Sequence, residues 1–183
     1  NGNTYTPAVT NGQFAQPVTF TTEQTYQIYV TAVNEVGNQT TVQRNIVYDI
    51  TPPSLTLNPV TSPTNQDSQV LTGTMEAGAT VSVTCPTATV GTVSYPTATT
   101  WTVSLSSMQD GADTITIRAA DDAGNVSKPL IATIVVDTVP PVTTITSGPN
   151  NLTNSASATF GFTSSKAGST FQCQLDGGVY SAC

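Results

Sequence analysis

The sequence contains no histidine and only four basic residues, Arg44, Arg118, Lys128 and Lys166. Losing histidine removes the commonest general base, and with it every histidine-based triad or metal site. Those four cations stand against eleven Asp and Glu, for a formal charge of −7. A phosphate backbone needs a cationic footprint, so a nucleic-acid partner is excluded. Charged residues make up only 8%, too few for a chain kept unfolded by its own charge. No apolar run approaches the length of a membrane span. No segment carries a convincing helical period, and no glycine-rich phosphate loop follows a strand and opens a helix. An initiator Met and a signal peptide are both absent, so the sequence reads as a piece of something longer.

What is present points to strands. Apolar residues reach 37%, and Thr and Ser dominate the polar set, which suits pleated strands better than helices. One short stretch occurs twice, as Tyr48-Asp49-Ile50-Thr51-Pro52-Pro53 and Val136-Asp137-Thr138-Val139-Pro140-Pro141. The two copies lie about 88 residues apart, the period of a small repeated domain. Neither proline of a pair has an N–H to give a ladder, and each holds the residue before it extended. Each stretch should therefore end a strand and begin a short, stiff linker.

The linkers divide the chain into residues 1–51, 52–138 and 139–183. In the first, strand-like runs cover Thr4 to Thr10, between Asn1-Gly2 and Asn11-Gly12, and Phe14 to Thr21. A strand with Tyr26, Ile28, Val30 and Ala32 on one face follows, then a turn at Asn34 to Asn38 and a closing strand from Thr41 to Tyr48. The middle segment reads as seven short strands: Ser54–Val60, Val70–Met75, Val81–Cys85, Thr92–Thr99, and runs carrying Trp101, Val103 and Leu105, then Ile115, Ile117 and Ala119, then Leu130 to Val136. Such alternation, with turns every 8–12 residues or so, is the signature of a β-sandwich. The last segment starts again with Thr143–Thr146, then Ala158, Phe160 and Phe162, then Phe171, Cys173 and Leu175. Tyr29 to Asn38 lies over Thr116 to Asn125, and Thr64-Asn65 over Thr153-Asn154. The first segment thus holds only later strands of a unit, and the last only early ones.

Four motifs carry a resemblance: the Asp137-Thr138-Val139-Pro140-Pro141 linker, the Asp121-Asp122-Ala123-Gly124-Asn125 turn, the turn from Glu76 to Val81, and the hairpin from Phe171 to Gly178. Together they resemble tandem bacterial immunoglobulin-like repeats, of the Big type, along the whole chain. The resemblance implies an all-β chain of tandem immunoglobulin-like, seven-stranded sandwiches, one complete (52–138) and two partial (the C-terminal part of one in 1–51, the N-terminal part of another in 139–183). It also implies large secreted or surface-anchored proteins, often adhesins or fibrous stalks, usually without catalysis in the repeat.

In that topology Asp49, Glu76, Asp121, Asp122 and Asn125 reach one end of the central sandwich. Oxygen ligands from short turns suit Ca²⁺, and related repeats bind it at such junctions. The same residues are also ordinary turn formers, satisfying backbone N–H groups while Gly124 takes the left-handed conformation. At the second junction Lys166 replaces Glu76 and weakens any cation site. Cys173 and Cys183 would face each other directly if Gly177-Gly178-Val179 formed a three-residue loop, giving a disulfide in an oxidising compartment. Cys85 shares a face with Val81 and Val83 and reads as a buried apolar residue. Trp101 keeps register with Val103 and Leu105, which argues for core over a sugar-stacking platform. The sequons at Asn38, Asn125 and Asn151 coincide largely with turns. Paired carboxylates for glycoside hydrolysis would need a cleft, and these acids fall mostly at turns or linkers.

The expected function is a structural segment of an extracellular, bacterial, tandem-repeat surface protein, an adhesin stalk or surface fibre with no enzymatic role. Its expected partners are neighbouring immunoglobulin-like domains of the same or adjacent chains. Two alternatives stand beside it: a head-to-tail filament in which terminal half-domains complement each other between chains, and a carbohydrate-binding module.

Overall fold

Alternating apolar and Thr/Ser residues become strands through most of the chain. The computed structural model describes residues 2 and 4–183. Its elements are β1 (Gln24–Val33), β2 (Gln39–Tyr48), β3 (Gln69–Thr74), β4 (Thr80–Thr84), β5 (Thr89–Val90), β6 (Ser94–Thr97), β7 (Thr100–Ser106), β8 (Gly111–Ala120), β9 (Leu130–Val136), β10 (Thr143–Ser147), β11 (Gly161–Ser164), β12 (Gln172–Cys173) and β13 (Ser181–Ala182). Among the described residues there is no helix.

The seven strands β3 to β9 form two antiparallel sheets, β4-β8-β9 and β3-β7-β5 with β6 also on β7. Their inward faces interdigitate into a single core of Leu71, Val81, Trp101, Val103, Leu105, Ile115, Ile117, Ile134 and Val136, with Met75, Cys85 and Met108 at its margins. This is an immunoglobulin-like β-sandwich, with period-2 alternation putting one face of each strand inside. Trp101 is 1% exposed, and its indole N–H donates to the Thr56 carbonyl at 3.2 Å. The ring crosses over Gly73, its register partner on β3. A Cβ at Gly73 would lie 2.0 Å from Thr56 O and 2.7 Å from Trp101 Nε1, so only glycine fits beneath the indole. Cys85 is buried, as its register with Val81 and Val83 suggests.

Two of the seven middle strands differ from expectation. Residues Ser54–Val60 make no regular strand. They run beside β3 through an isolated bridge from Leu55 to Met75 and through Thr56 N–H and Asn58 N–H, which donate to Thr74 O and Thr72 O. Pro53 precedes the run and Pro59 falls within it, and neither has an N–H to extend the ladder. Thr92–Thr99 is not one strand either. Pairing with β7 is carried by β5 and β6 with a register shift between Ser94 and Thr97, at the point where Pro96 interrupts the ladder.

In residues 4–51 the expected strands Thr4–Thr10 and Phe14–Thr21 do not form. Only an isolated bridge joins Thr10 to Gln13, and Pro7 and Pro17 interrupt both runs. Asn1, in the expected Asn1-Gly2 turn, lies outside the described residues. β1 and β2 make a long hairpin, Gln24 opposite Tyr48 and Val33 opposite Gln39. Phe20 caps one end of its apolar face, its ring centroid 4.7 Å from Tyr26 and 5.7 Å from Tyr48. The Tyr26 hydroxyl reaches back to donate to the Thr22 carbonyl at 3.0 Å.

Beyond the second linker, β10 pairs with β11, and β12 with β13. The expected strand at Ala158–Phe162 begins only at Gly161. Cys173 is disulfide-bonded to Cys183. The two are not directly opposite, however. Cys173 pairs with Ser181, because the chain turns one residue earlier, centred on Gly177 in place of Gly178. Asp176 and Gly177 both take positive φ, and Gly178 N–H donates to Leu175 O, a tight turn of the type that matches strand twist.

Candidate functional site at the two linkers

Each linker is gripped from both sides, and the two grips match. At the first, Glu23, just ahead of β1, accepts the Ile50 N–H and the Thr51 hydroxyl, the latter at 2.8 Å. At the second, Asp110, just ahead of β8, accepts the Thr138 N–H and hydroxyl, both at 2.8 Å. These donors favour the charged carboxylates. The Ile50 N–H, then the Thr51 hydroxyl, hold Glu23 below the usual carboxylate range, and the Thr138 N–H, then its hydroxyl, do the same for Asp110. Each linker aspartate also turns on itself: Asp49 accepts Thr51 N–H at 2.9 Å and Asp137 accepts Val139 N–H at 3.3 Å.

From the other side comes a nitrogen of residues that follow the linker in the chain. At the first linker the Asn125 side-chain amide donates to the Asp49 carbonyl at 3.2 Å and to Asp121 Oδ2 at 3.0 Å. Asn125 is held there by its turn: Asn125 N–H donates to Asp121 Oδ1 at 2.9 Å, and Gly124 takes φ 91°. Burial raises the Asp121 pKa, but the Asn125 amide and the turn's N–H groups outweigh it and leave the carboxyl below its ordinary value. The first hairpin repeats this turn, with Asn38 N–H donating to Asn34 Oδ1 at 2.9 Å and Gly37 at φ 88°. At the second linker the Lys166 ammonium donates to both Asp137 Oδ1 and the Val139 carbonyl. Pro53 is buried, whereas Pro52, Pro140 and Pro141 are exposed.

Of the residues considered for Ca²⁺, Asp49, Asp121 and Asn125 come together, but Asp49 brings its carbonyl to the amide while its carboxylate faces Thr51. The Glu76 carboxylate accepts Ser54 N–H at 3.3 Å, and Asp122 is exposed. The donor set thus faces N–H groups in place of a common centre. Among the described residues no three His, Cys, Asp or Glu side chains form a metal-holding group. Sequence reasoning passed over Glu23 and Asp110. The signal was available, since each is the acid one turn ahead of the repeated strand.

The remaining candidates are simply placed. A recess of about 470 Å³ beside the second linker is lined by amides and acids, among them Asn65, Gln66, Asp67 and Asp110. Trp101 is core, and the exposed tyrosines Tyr29 and Tyr180 lie on different segments. Asn125 is engaged as described and Ser127 is buried, whereas Asn38 and Asn151 are exposed.

Residues 57–137 match a family described as the bacterial Ig domain. The kinship expected from the four motifs is therefore shown for the central sandwich. Among solved structures, the crystal structure of the S-layer protein SbsC domains 4 and 5 aligns over 61% of this chain and 70% of that chain, at 17% identity and a TM-score of 0.30. No curated protein sequence matches. Among the described residues no helix is long and apolar enough to cross a membrane.

Proposed function

We propose that the chain is a stiff structural segment of an extracellular tandem-repeat surface protein, an adhesin stalk or surface fibre, in which residues 1–51, 52–138 and 139–183 belong to successive immunoglobulin-like units. The bacterial Ig domain match of the central unit supports the class, and the scarcity of charge and the disulfide favour an extracytoplasmic setting. The observation that carries the reading is the double grip on each linker. A carboxylate behind and a nitrogen ahead hold the same few residues, so neither unit can swing without breaking contacts to the other. The function is mechanical, the reading gives no residue a catalytic role, and the partners are neighbouring units of the same kind. A carbohydrate-binding role would need a coplanar row of exposed rings, and Trp101 is in the core.

The test is the spread of angles at the second linker. Spin labels placed on the exposed faces of β9 and β11 report it as a distance distribution. With Lys166→Ala the distribution should broaden while the melting temperature of the central unit stays within a degree or so, since Lys166 lies outside its core. An equally broad distribution in the unsubstituted chain would overturn the reading. Titrating Ca²⁺ into the same sample tests the remaining junction chemistry. Because the oxygens of Asp49, Asp121 and Glu76 already accept N–H donors, neither the distances nor the melting temperature should move. A clear shift would reassign the stiffness to bound metal.

A further inference from the structure

We propose that Asp110-Gly111 is a latent isoaspartate site, held unreacted while Thr138 of the second linker grips the Asp110 carboxylate and released to rearrange when that grip opens. The inference stands on the linker geometry and goes beyond the structural role proposed above.

An aspartate followed by glycine can rearrange without a partner. The glycine nitrogen attacks the aspartate Cγ, and the new C–N bond closes a five-membered imide. One carboxyl oxygen leaves as water, taking the proton of the attacking nitrogen. Water then adds back to either imide carbonyl. Addition at Cγ restores aspartate. Addition at the original backbone carbonyl breaks its bond to nitrogen and leaves the chain running through Cγ. The backbone is then one methylene longer, and the carboxylate sits directly on Cα. The atoms balance, and water is the sole reagent.

The linker carboxylates differ in their fitness for this reaction. Glu23 precedes Gln24, Asp49 precedes Ile50 and Asp137 precedes Thr138, and only Asp110 precedes a glycine. A side chain on the following residue crowds the attacking nitrogen, and a glutamate would have to close a six-membered ring. Gly111 has φ 119°, and nothing lies within 4 Å of the position a Cβ would take. Asp110 is exposed. It lines the polar recess beside the second linker, together with Thr138 and Asp67.

Two contacts hold the reaction off. The Thr138 N–H and hydroxyl both donate to Asp110 Oδ1 at 2.8 Å. The N–H, then the hydroxyl, keep the carboxyl ionised, and an ionised oxygen is a poor leaving group. The nucleophile is committed as well. Val135 N–H donates to the Ser62 hydroxyl and Asp137 N–H to the Thr64 carbonyl, both away from β8. Alternation along β9 therefore turns Val136 towards β8, where Gly111 is its register partner. To reach Cγ the Gly111 nitrogen must leave the ladder at the first residue of β8, and strand ends are where local opening costs least. Once formed, isoaspartate cancels the grip. Its carboxylate has lost the reach of Cβ, and the start of β8 has gained a backbone atom. The first linker, gripped through Glu23, carries no such liability.

The experiment ages the whole folded chain in warm neutral buffer, beside the same chain unfolded in guanidinium chloride. Asp-N protease cuts ahead of aspartate and not ahead of isoaspartate. Lost cleavage between Gln109 and Asp110, relative to the unaged chain, therefore counts the product, and methylation by an isoaspartyl methyltransferase confirms it. The folded chain should react at least about tenfold more slowly than the unfolded one, because linker and ladder must both open first. Thr138→Ala keeps the N–H and loses the hydroxyl. It should speed the folded reaction by roughly two- to tenfold, the weight of one exposed hydrogen bond. Thr138→Pro loses both donors and should speed it further. Melting of the central unit, read for each variant, sets an ageing temperature well below every midpoint. A rise in Thr138→Pro alone supports the proposal and assigns the latch to the N–H. A rate unmoved in both variants overturns it. So does an unsubstituted folded chain that reacts as fast as the unfolded one, or a chain that forms no isoaspartate at this position even when unfolded. The structural role is judged separately, by the linker distances.

Discussion

Replacing Asp113 by valine should stabilise the central unit by about 2 kcal/mol. Asp113 lies on the inward face of β8, opposite Ile134 and two residues before Ile115. It is 0% exposed, and neither carboxylate oxygen has a hydrogen-bond partner. Leaving a buried polar group unsatisfied costs about 1–3 kcal/mol, and more if it is charged. Valine removes that cost, adds apolar burial worth about 0.8 kcal/mol per methylene-sized group, and suits a strand. Against this stands its larger volume, since overpacking costs about 1–3 kcal/mol where a core cannot yield. The balance of these terms is the ~2 kcal/mol gain. For a domain of this size it should raise the midpoint of thermal unfolding by roughly 8–16 °C. Scanning calorimetry on the central transition reads it directly, with Asp113→Asn as the control. The amide has nearly the same shape and remains buried without partners, so it should change the midpoint far less. A valine variant that melts below the parent would refute the reasoning, because the carboxyl group would then have to be making a favourable contact in the folded state.

Two further outcomes follow from the same geometry. Gly73→Ala should destabilise the central unit by about 1–3 kcal/mol, because the new methyl meets the Thr56 carbonyl and the Trp101 indole and one of them must move; an unchanged denaturation midpoint would mean that the leading stretch is not held against β3 as described. Acid should release the linkers before it opens the core. Glu23 and Asp110 have folded pKa values below their unfolded ones, so the stability they add is fully present above the unfolded value, near 4, and is lost as pH falls through the folded value. Amide resonances of Ile50 and Thr138, followed by NMR, should titrate with midpoints below the ordinary carboxylate range, and midpoints at or above that range would contradict the grip.

The central sandwich was legible because its strands are covered on one face, so alternation and burial agree. Ile115-x-Ile117-x-Ala119 and Trp101-x-Val103-x-Leu105 announce their inward sides, and each finds a facing sheet. The same alternation misled where no neighbour lies alongside. Phe14 to Thr21 has strand-like composition, but composition supplies no hydrogen-bond partner, and Pro17 removes a donor. The cysteine pair was visible as a pair, whereas its diagonal placement depended on two consecutive positive-φ residues, Asp176 and Gly177, which set the turn one residue earlier. The linker site was half legible. Asp49, Asp121 and Asn125 stood out as turn acids and amides at one end of the unit. What they do depends on which nitrogen each oxygen meets, and that is set by tertiary placement.

That placement also bears on how the proposed segment would be stiff. Every linker contact here is exposed or half-exposed, and an exposed ion pair or hydrogen bond of this kind contributes only about 0–1 kcal/mol. One such contact would let neighbouring units swing freely. The linkers instead combine three weak effects that add in the same direction. Paired prolines narrow the backbone before any contact forms, so less entropy is lost in ordering it. A carboxylate from ahead of the linker fixes its N–H, and a nitrogen from beyond the linker fixes its carbonyl or carboxylate. Because the two grips act on adjacent residues of an already stiff chain, each forms at reduced entropic cost once the other is made. The nitrogen is an amide at the first linker and an ammonium at the second. The arrangement therefore does not depend on one chemistry, only on a donor arriving from the turn ahead.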